Sequence, residues 1–188
     1  MTQVSGEDKN LEVATLAAGC FWCTEAAFSI IKGVERIEPG YTGGVVPNPT
    51  YEQVSTGETG HAEAAQIFFD PKVISYREIL EIFFTMHDPT SINRQGADVG
   101  TQYRSAIFYH NELQKEIAIK LIDELNKEDI WDRPIVTRVE PLNFFYKAET
   151  YHKDYYKKHP KDAYCQAVIS PKLAKLQEHF LDKIKVPL

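Results

Sequence analysis

The order of the apolar segments constrains this chain most. Leu11 to Ala18 is a short apolar run with polar flanks, the pattern of a buried strand, and Gly19 breaks it. Thr24 to Lys32 carries Ala27, Phe28, Ile30 and Ile31 at helical spacing, and Gly33 stands where a helix C-cap would. Val34 to Glu38 alternates apolar and polar residues as a strand does. Ala64 to Phe69 reads as a strand ended by Asp70-Pro71. Ser75 to Met86 reads as a helix facing Ile79, Leu80, Phe83 and Phe84 inward. Arg104 to Tyr109 reads as a strand. These elements run β-α-β-β-α-β. That order predicts an α+β fold with a ferredoxin-like split βαβ core, a two-layer sandwich.

The rest of the chain decorates that core. Asn111 with Gln114 makes a capping-box-like start for a helix with Leu113, Ile117, Leu121, Ile122 and Leu125 on one face. Ile135 to Val139 alternates as a strand. Ser170-Pro171 reads as a cap with Pro at the first helical position, and the helix behind it buries Leu173, Leu176, Phe180 and Ile184. Pro39 to about Gly60 and His87 to Tyr103 are polar, aperiodic loops. Loops of that length in a compact domain point to functional surfaces. At 188 residues the expectation is one catalytic domain over 1–188, with a C-terminal extension from about residue 147.

Charge and cysteine usage narrow the function. The 21 Lys+Arg against 27 Asp+Glu give −6, which argues against nucleic-acid binding. The basic residues Lys153, Lys157, Lys158 and Lys161 read as a solvated face. No apolar stretch approaches the ~18 residues of a membrane span, and MTQVSGEDKN lacks an apolar signal core. A cytoplasmic location is expected, and nothing demands more than a monomer. The cysteine count, 3, is odd, which does not suggest a secreted disulfide framework. Cytosolic cysteines of this kind are more often catalytic or metal-binding.

The sharpest chemical signal is Gly19-Cys20-Phe21-Trp22-Cys23, placed where a strand ends and a helix begins. Free N–H groups and the helix dipole at such a start favour thiolate. Phe21 and Trp22 give an aromatic wall suited to a small apolar group. A buried structural cysteine fits the same five residues. So does a thioredoxin-like C-x-x-C, acting on disulfides or peroxide. A zinc-stabilised interaction module would use Cys20, Cys23, Cys165 and His152 or His159, but a second paired motif is missing. Gly40-Tyr41-Thr42-Gly43-Gly44 reads as a tight turn displaying a tyrosine. Gly60-His61-Ala62-Glu63 brings a carboxyl to a loop exit, with His61 as a loop hydrogen-bonder. Arg94 to Arg104 is a polar loop carrying Asp98 and Tyr103. His87 reads as a helix-end residue.

Taken together, these runs resemble the A-type peptide methionine sulfoxide reductases. The matching runs are GCFW at Gly19 to Trp22, GYTGG at Gly40 to Gly44 and GHAE at Gly60 to Glu63. HDPT at His87 to Thr90, RQGAD and GTQYRS from Arg94 to Ser105, and AIFY at Ala106 to Tyr109 complete the set. The resemblance spans roughly Val13 to Pro171. It implies reduction of methionine S-sulfoxide, free or in oxidised proteins, with Cys20 as nucleophile and Glu63 as proton donor to the sulfoxide oxygen. It implies Tyr41 and Tyr103 as oxygen-binding hydroxyls, Asp98 as an orienting carboxylate, and Phe21 and Trp22 as the S-methyl pocket. A Cys20 sulfenic acid would then condense with a resolving thiol. Cys165 in the extension is the favoured candidate, and Cys23 is the alternative, as relay or substitute. Thioredoxin would reduce the disulfide. No metal, flavin or nucleotide cofactor is implied.

Overall fold

The computed structural model describes residues 10–185. The polar segment read for its lack of a signal core therefore lies, apart from Asn10, outside the described residues. The fold is mixed α+β. The elements are β1 (Glu12–Ala18), α1 (Phe21–Ser29), β2 (Val34–Thr42), α2 (Tyr51–Ser55), β3 (Ala62–Phe69), α3 (Tyr76–Met86), β4 (Arg94–Gln95) and β5 (Asp98–Val99). They continue with β6 (Ser105–Tyr109), α4 (Glu112–Lys127), β7 (Arg138–Pro141), β8 (Phe145–Lys147), α5 (Tyr155–Lys158) and α6 (Ser170–His179).

One sheet runs in the order β7-β6-β1-β3-β2-β8. Strands β6, β1, β3, β2 and β8 pair antiparallel, and β7 adds to β6 in parallel. Alternation along β1 sends Ala14, Leu16 and Ala18 to one face, where they meet Phe28 of α1, Ile79 and Phe83 of α3, and Leu176 of α6. This is the larger core. Its helix α3 starts at a reciprocal cap, with Ser75 accepting from the Glu78 N–H and Glu78 accepting from the Ser75 N–H. The opposite face is lined by alanines, Ala17, Ala62, Ala64 and Ala106, with Phe108. Leu142 and Phe145 cover it.

Several elements depart from the sequence expectation. Strand β2 runs on to Thr42, so Tyr41 sits in a strand paired with β3 and not at a turn tip. The loop after it contains α2, capped by Thr50 and Gln53. Helix α1 starts at Phe21, earlier than its apolar spacing suggested, and its C-cap is Ile30, not Gly33. The strand expected over 135–139 forms at Arg138–Pro141. In α4 the buried positions are Gln114, Ala118 and Leu121, while Leu113 lies exposed. Phe180 and Ile184 lie past the end of α6.

Ser170 is not a cap. It has right-handed helical dihedrals and continues a π-helical turn at Cys165–Ile169. Pro171 has no N–H to give and crowds the carbonyl four residues back, so the preceding turn widens. The Ser170 N–H accordingly reaches the carbonyl of Cys165, five residues back.

The junction between β1 and α1 positions the first cysteine. Gly19 adopts φ +90°, a conformation that side chains rarely take, and a Cβ there would lie 2.8 Å from Cβ and Cγ of Gln95. Gln95 is itself fixed: its amide bonds the Asp88 N–H at 2.9 Å and the Asp88 carbonyl at 3.0 Å. Gly19→Ala should therefore cost about 1–3 kcal/mol through strain and overpacking. Chemical denaturation measures it, and an unchanged midpoint would contradict this account of the turn.

Candidate active site

Cys20 is the N-cap residue of α1, 8 % exposed, with its carbonyl accepting from the Cys23 N–H at 3.1 Å. The next N–H of the helix, on Phe21, donates to Oε1 of Glu63 at 3.2 Å. Glu63 is the second residue of β3 and pairs directly with Tyr41 of β2. Directly opposed residues in a sheet share a face. The strand and helix thus bring a thiol and a carboxyl to one spot at the end of the sheet.

Burial dominates the electrostatics. Glu63 is 1 % exposed, and its Oε2 has no hydrogen-bond partner. Burial pushes its carboxyl up to about 8, against the Phe21 N–H, with the charges of Asp98 and Cys23 adding to the rise. Glu63 is therefore mostly neutral at pH 7 and holds a transferable proton. The Cys20 thiol is also raised, first by burial, then by its hydrogen bond with Cys23 and the charge of Glu63. This reverses the expectation that the helix start would leave Cys20 low in the resting protein, because desolvation outweighs the dipole. The thiol held low is Cys23, at about 7. Its hydrogen bond with Cys20 is the largest cause, with the charge of Lys172 also favouring thiolate.

The aromatic residues do not play equal parts. Phe21 is fully buried, packed against Tyr41 and His152 at ring-centroid distances of 5.7 and 4.9 Å. Trp22 is half-buried. Tyr155 stacks on it at 3.7 Å with an interplanar angle of 4°, and its indole N–H donates to Nδ1 of His152 at 3.0 Å. The Tyr41 hydroxyl is committed elsewhere: it donates to Glu149 Oε1 at 2.9 Å. The other oxygen of Glu149 accepts the Tyr51 N–H at 3.0 Å. Tyr51 and Tyr103 are the tyrosines with half-buried side chains that feel the charges of both Glu63 and Cys20. After burial, those charges raise both phenols, Tyr51 to about 12.

Asp98 lies across the site, half-buried, accepting from the Tyr164 hydroxyl at 2.8 Å. Cys165 follows Tyr164 and is fully buried, and its thiol is raised first by burial, then by the charges of Asp162 and Cys23. The three cysteines are all free thiols. Among the described residues no group of three or more His, Cys, Asp or Glu side chains is arranged to hold a metal ion. The zinc reading also loses a ligand atom, because Nδ1 of His152 is engaged by Trp22.

His61 and His87 are structural, as expected. His61 binds the Gly44 N–H and the Val46 carbonyl. His87 closes α3 and binds Phe83 O and Ser105 Oγ. Sequence reasoning missed Tyr51, Glu149, Tyr155 and Tyr164, and offered His152 only as a zinc ligand. For Tyr51 a signal existed, since Thr50 and Gln53 spell a capping box around it.

The family model for peptide methionine sulfoxide reductase matches residues 12–184. The chain belongs to the peptide methionine sulfoxide reductase family. Its relatives include MsrA of Saccharolobus solfataricus, 58 % identical over 176 residues that cover 94 % of this chain and 98 % of that protein. MsrA of Deinococcus radiodurans is 56 % identical over 174 residues, 93 % of this chain and 84 % of that one. Among solved structures, reduced Mxr1 of Saccharomyces cerevisiae superposes with a TM-score of 0.76 at 37 % identity, covering 83 % of this chain and 90 % of that chain. Methionine sulfoxide reductase A of Corynebacterium diphtheriae gives 0.73 at 32 % identity, with 83 % and 78 % covered. As a peptide methionine sulfoxide reductase, the protein is an oxidoreductase that returns methionine sulfoxide to methionine.

Proposed function

We propose that Cys20 attacks the sulfur of methionine S-sulfoxide while Glu63 delivers its proton to the sulfoxide oxygen. The observation that carries this reading is a mostly neutral, buried carboxyl at the helix start that bears the thiol. A sulfoxide sulfur is a weak electrophile until its oxygen is protonated, so the acid must be present at neutral pH. Methionine leaves, its sulfur reduced by two electrons, and Cys20 becomes a sulfenic acid. The Cys20 proton replaces the one that Glu63 gave.

Tyr103 and Tyr51 are the hydroxyls we assign to the substrate oxygen. Tyr41, the residue implied by the motif, acts one step removed by seating Glu149, which holds Tyr51. Trp22 lines the methyl pocket, with Phe21 packed behind it. Asp98 orients the polar side. A fixed methyl pocket and fixed oxygen donors admit a single sulfoxide epimer.

The thiols are read as a queue. Cys23 shares a hydrogen bond with Cys20 and condenses first with the sulfenic acid, releasing water. Cys165 then takes over the disulfide with Cys23 and frees Cys20. This puts Cys23 ahead of Cys165, the candidate favoured from the motif. Thioredoxin would reduce the final disulfide. Mxr1 of S. cerevisiae has been solved in complex with Trx2, and that Mxr1 chain superposes here with a TM-score of 0.56 at 25 % identity, covering 82 % of this chain and 91 % of that one.

The core is taken as a ferredoxin-like split βαβ, supported by the antiparallel order β6-β1-β3-β2. We treat the chain as one catalytic domain acting as a monomer without a bound cofactor. Residues beyond about 147 form an extension that carries Cys165. Among the described residues no helix is long and apolar enough to cross a membrane, and a cytoplasmic setting suits three free thiols.

The test is a count. Reduced protein is given one sulfoxide epimer at a time without reductant. Two methionines per chain are expected from the S epimer, because the disulfide moves on and frees Cys20 for a second attack. Cys165→Ser should stop at one. Equal release from the R epimer, or none from either, would overturn the reading.

A further inference from the structure

Building on that reading, we propose that Tyr164 prepares Cys23 as the resolving nucleophile, taking the Cys23 proton while passing its own to Asp98. The tyrosine hydroxyl lies between the two groups, 2.8 Å from Asp98 Oδ2 and 3.7 Å from Cys23 Sγ. A phenol carries one proton. Asp98 takes it in the resting arrangement, which leaves the oxygen lone pairs for the thiol of Cys23. The chain of donors is S–H to O–H to carboxylate, and it runs in one direction.

The surroundings favour this path. Cys23 is 1 % exposed, so bulk water does not serve as its base. Lys172 stabilises a thiolate there by charge, but an ammonium has no lone pair to accept a proton. Cys20 is the partner to be attacked. Asp98 is half-buried and therefore able to return a proton to solvent. Tyr164 is held in place, with its ring against Trp22 at 5.9 Å and 79° and its backbone N–H donating to Asp162 Oδ1 at 3.0 Å.

The step balances. Cys23 sulfur forms a bond to the Cys20 sulfur, and the S–O bond of the sulfenic acid breaks. Glu63 protonates the departing hydroxyl, which leaves as water. The Cys23 proton ends on Asp98 by way of Tyr164 and returns through solvent to Glu63. No outside oxidant or reductant is needed, because the sulfenic acid comes from sulfoxide reduction.

The experiment is a rapid-quench comparison of methionine release and disulfide formation with the S-sulfoxide, from pH 6 to 9.5, in the whole chain. A 1,3-dicarbonyl reagent traps any sulfenic acid. In Tyr164→Phe the ratio of disulfide formation to methionine release should fall severalfold near pH 6.5, less than the ~100-fold or more of full general-base loss because a Cys23 thiol at about 7 is already partly ionised there. The Cys20 sulfenic acid should be trapped in its place. The gap should close as pH rises past about 8, where a Cys23 thiol held at about 7 ionises without the relay, a recovery that mere loss of packing would not give. Asp98→Asn separates relay from charge. Removing the carboxylate charge by itself would favour the Cys23 thiolate and speed resolution, whereas loss of the relay's acceptor slows it. Disulfide formation keeping pace in Tyr164→Phe, or faster resolution in Asp98→Asn, overturns the proposal. Absence of methionine release from the unsubstituted protein would instead overturn the function on which it rests.

Discussion

Cys20→Ser should release no methionine from either sulfoxide epimer, a loss of at least about 10,000-fold, of the size seen when a covalent nucleophile is removed. The serine hydroxyl has the same reach but does not ionise in this site. Cys23 cannot stand in. It is 1 % exposed, one helical turn further along the helix, and its sulfur is engaged by Cys20 and the Tyr164 hydroxyl. The exchange is nearly isosteric, so the denaturation midpoint should hold while turnover vanishes. Residual activity above about one part in a thousand, with dithiothreitol or thioredoxin as reductant, would show that another thiol does the attacking.

Glu63→Gln should lower the rate of methionine release by about 100- to 10,000-fold, the range for loss of a general acid. The pH profile is the sharper readout. The Glu63 carboxyl is raised to about 8, chiefly by burial, so its neutral form persists from acid through neutrality and is lost as pH rises through about 8. The parent enzyme should lose methionine release over that interval, and the glutamine variant should lack the descending limb.

Stability should move the opposite way. The folded state binds this proton more tightly than the unfolded chain, whose carboxyl titrates near 4.3. Glu63 therefore costs stability progressively as pH climbs from about 4.3 through about 8. At pH 9 the variant should be the more resistant protein to urea and the poorer catalyst. Parallel stability curves for the two proteins between pH 5 and 9 would refute the burial argument.

The sequence disclosed the parts of the site that are local. Gly19 breaks an apolar run just before Cys20, and Glu63 stands at the head of another, so thiol and carboxyl could both be placed at element ends. What it hid depends on contacts across the chain. Tyr41 stands in a glycine-rich run and Tyr51 follows a proline-containing one, and nothing local says which hydroxyl is free. Only the tie from Tyr41 to Glu149, more than a hundred positions away, shows that its hydroxyl is occupied. His152 and Tyr155 meet Trp22 across a similar gap, and no periodicity announces that. The raised Cys20 thiol was missed because a dipole can be inferred from a helix start, whereas desolvation requires knowing what packs over it. Pro171 misled in another way. Proline marks first turns so often that a widened turn ahead of it is hard to tell from a cap.

The placement of β8 bears on how such a chain can be shortened. Its residues add to the edge of β2 beside Tyr41, and the backbone then leads through Glu149, His152, Tyr155 and Tyr164 to Cys165. One continuous stretch therefore supplies the seat of a tyrosine, the anchor and cover of the tryptophan, and a thiol for recycling. A truncated protein could not simply exchange thioredoxin dependence for a small-molecule reductant. It would lose the wall of its pocket along with its last cysteine. On the proposed reading, recycling and substrate selection thus draw on one length of chain, from β8 to Cys165.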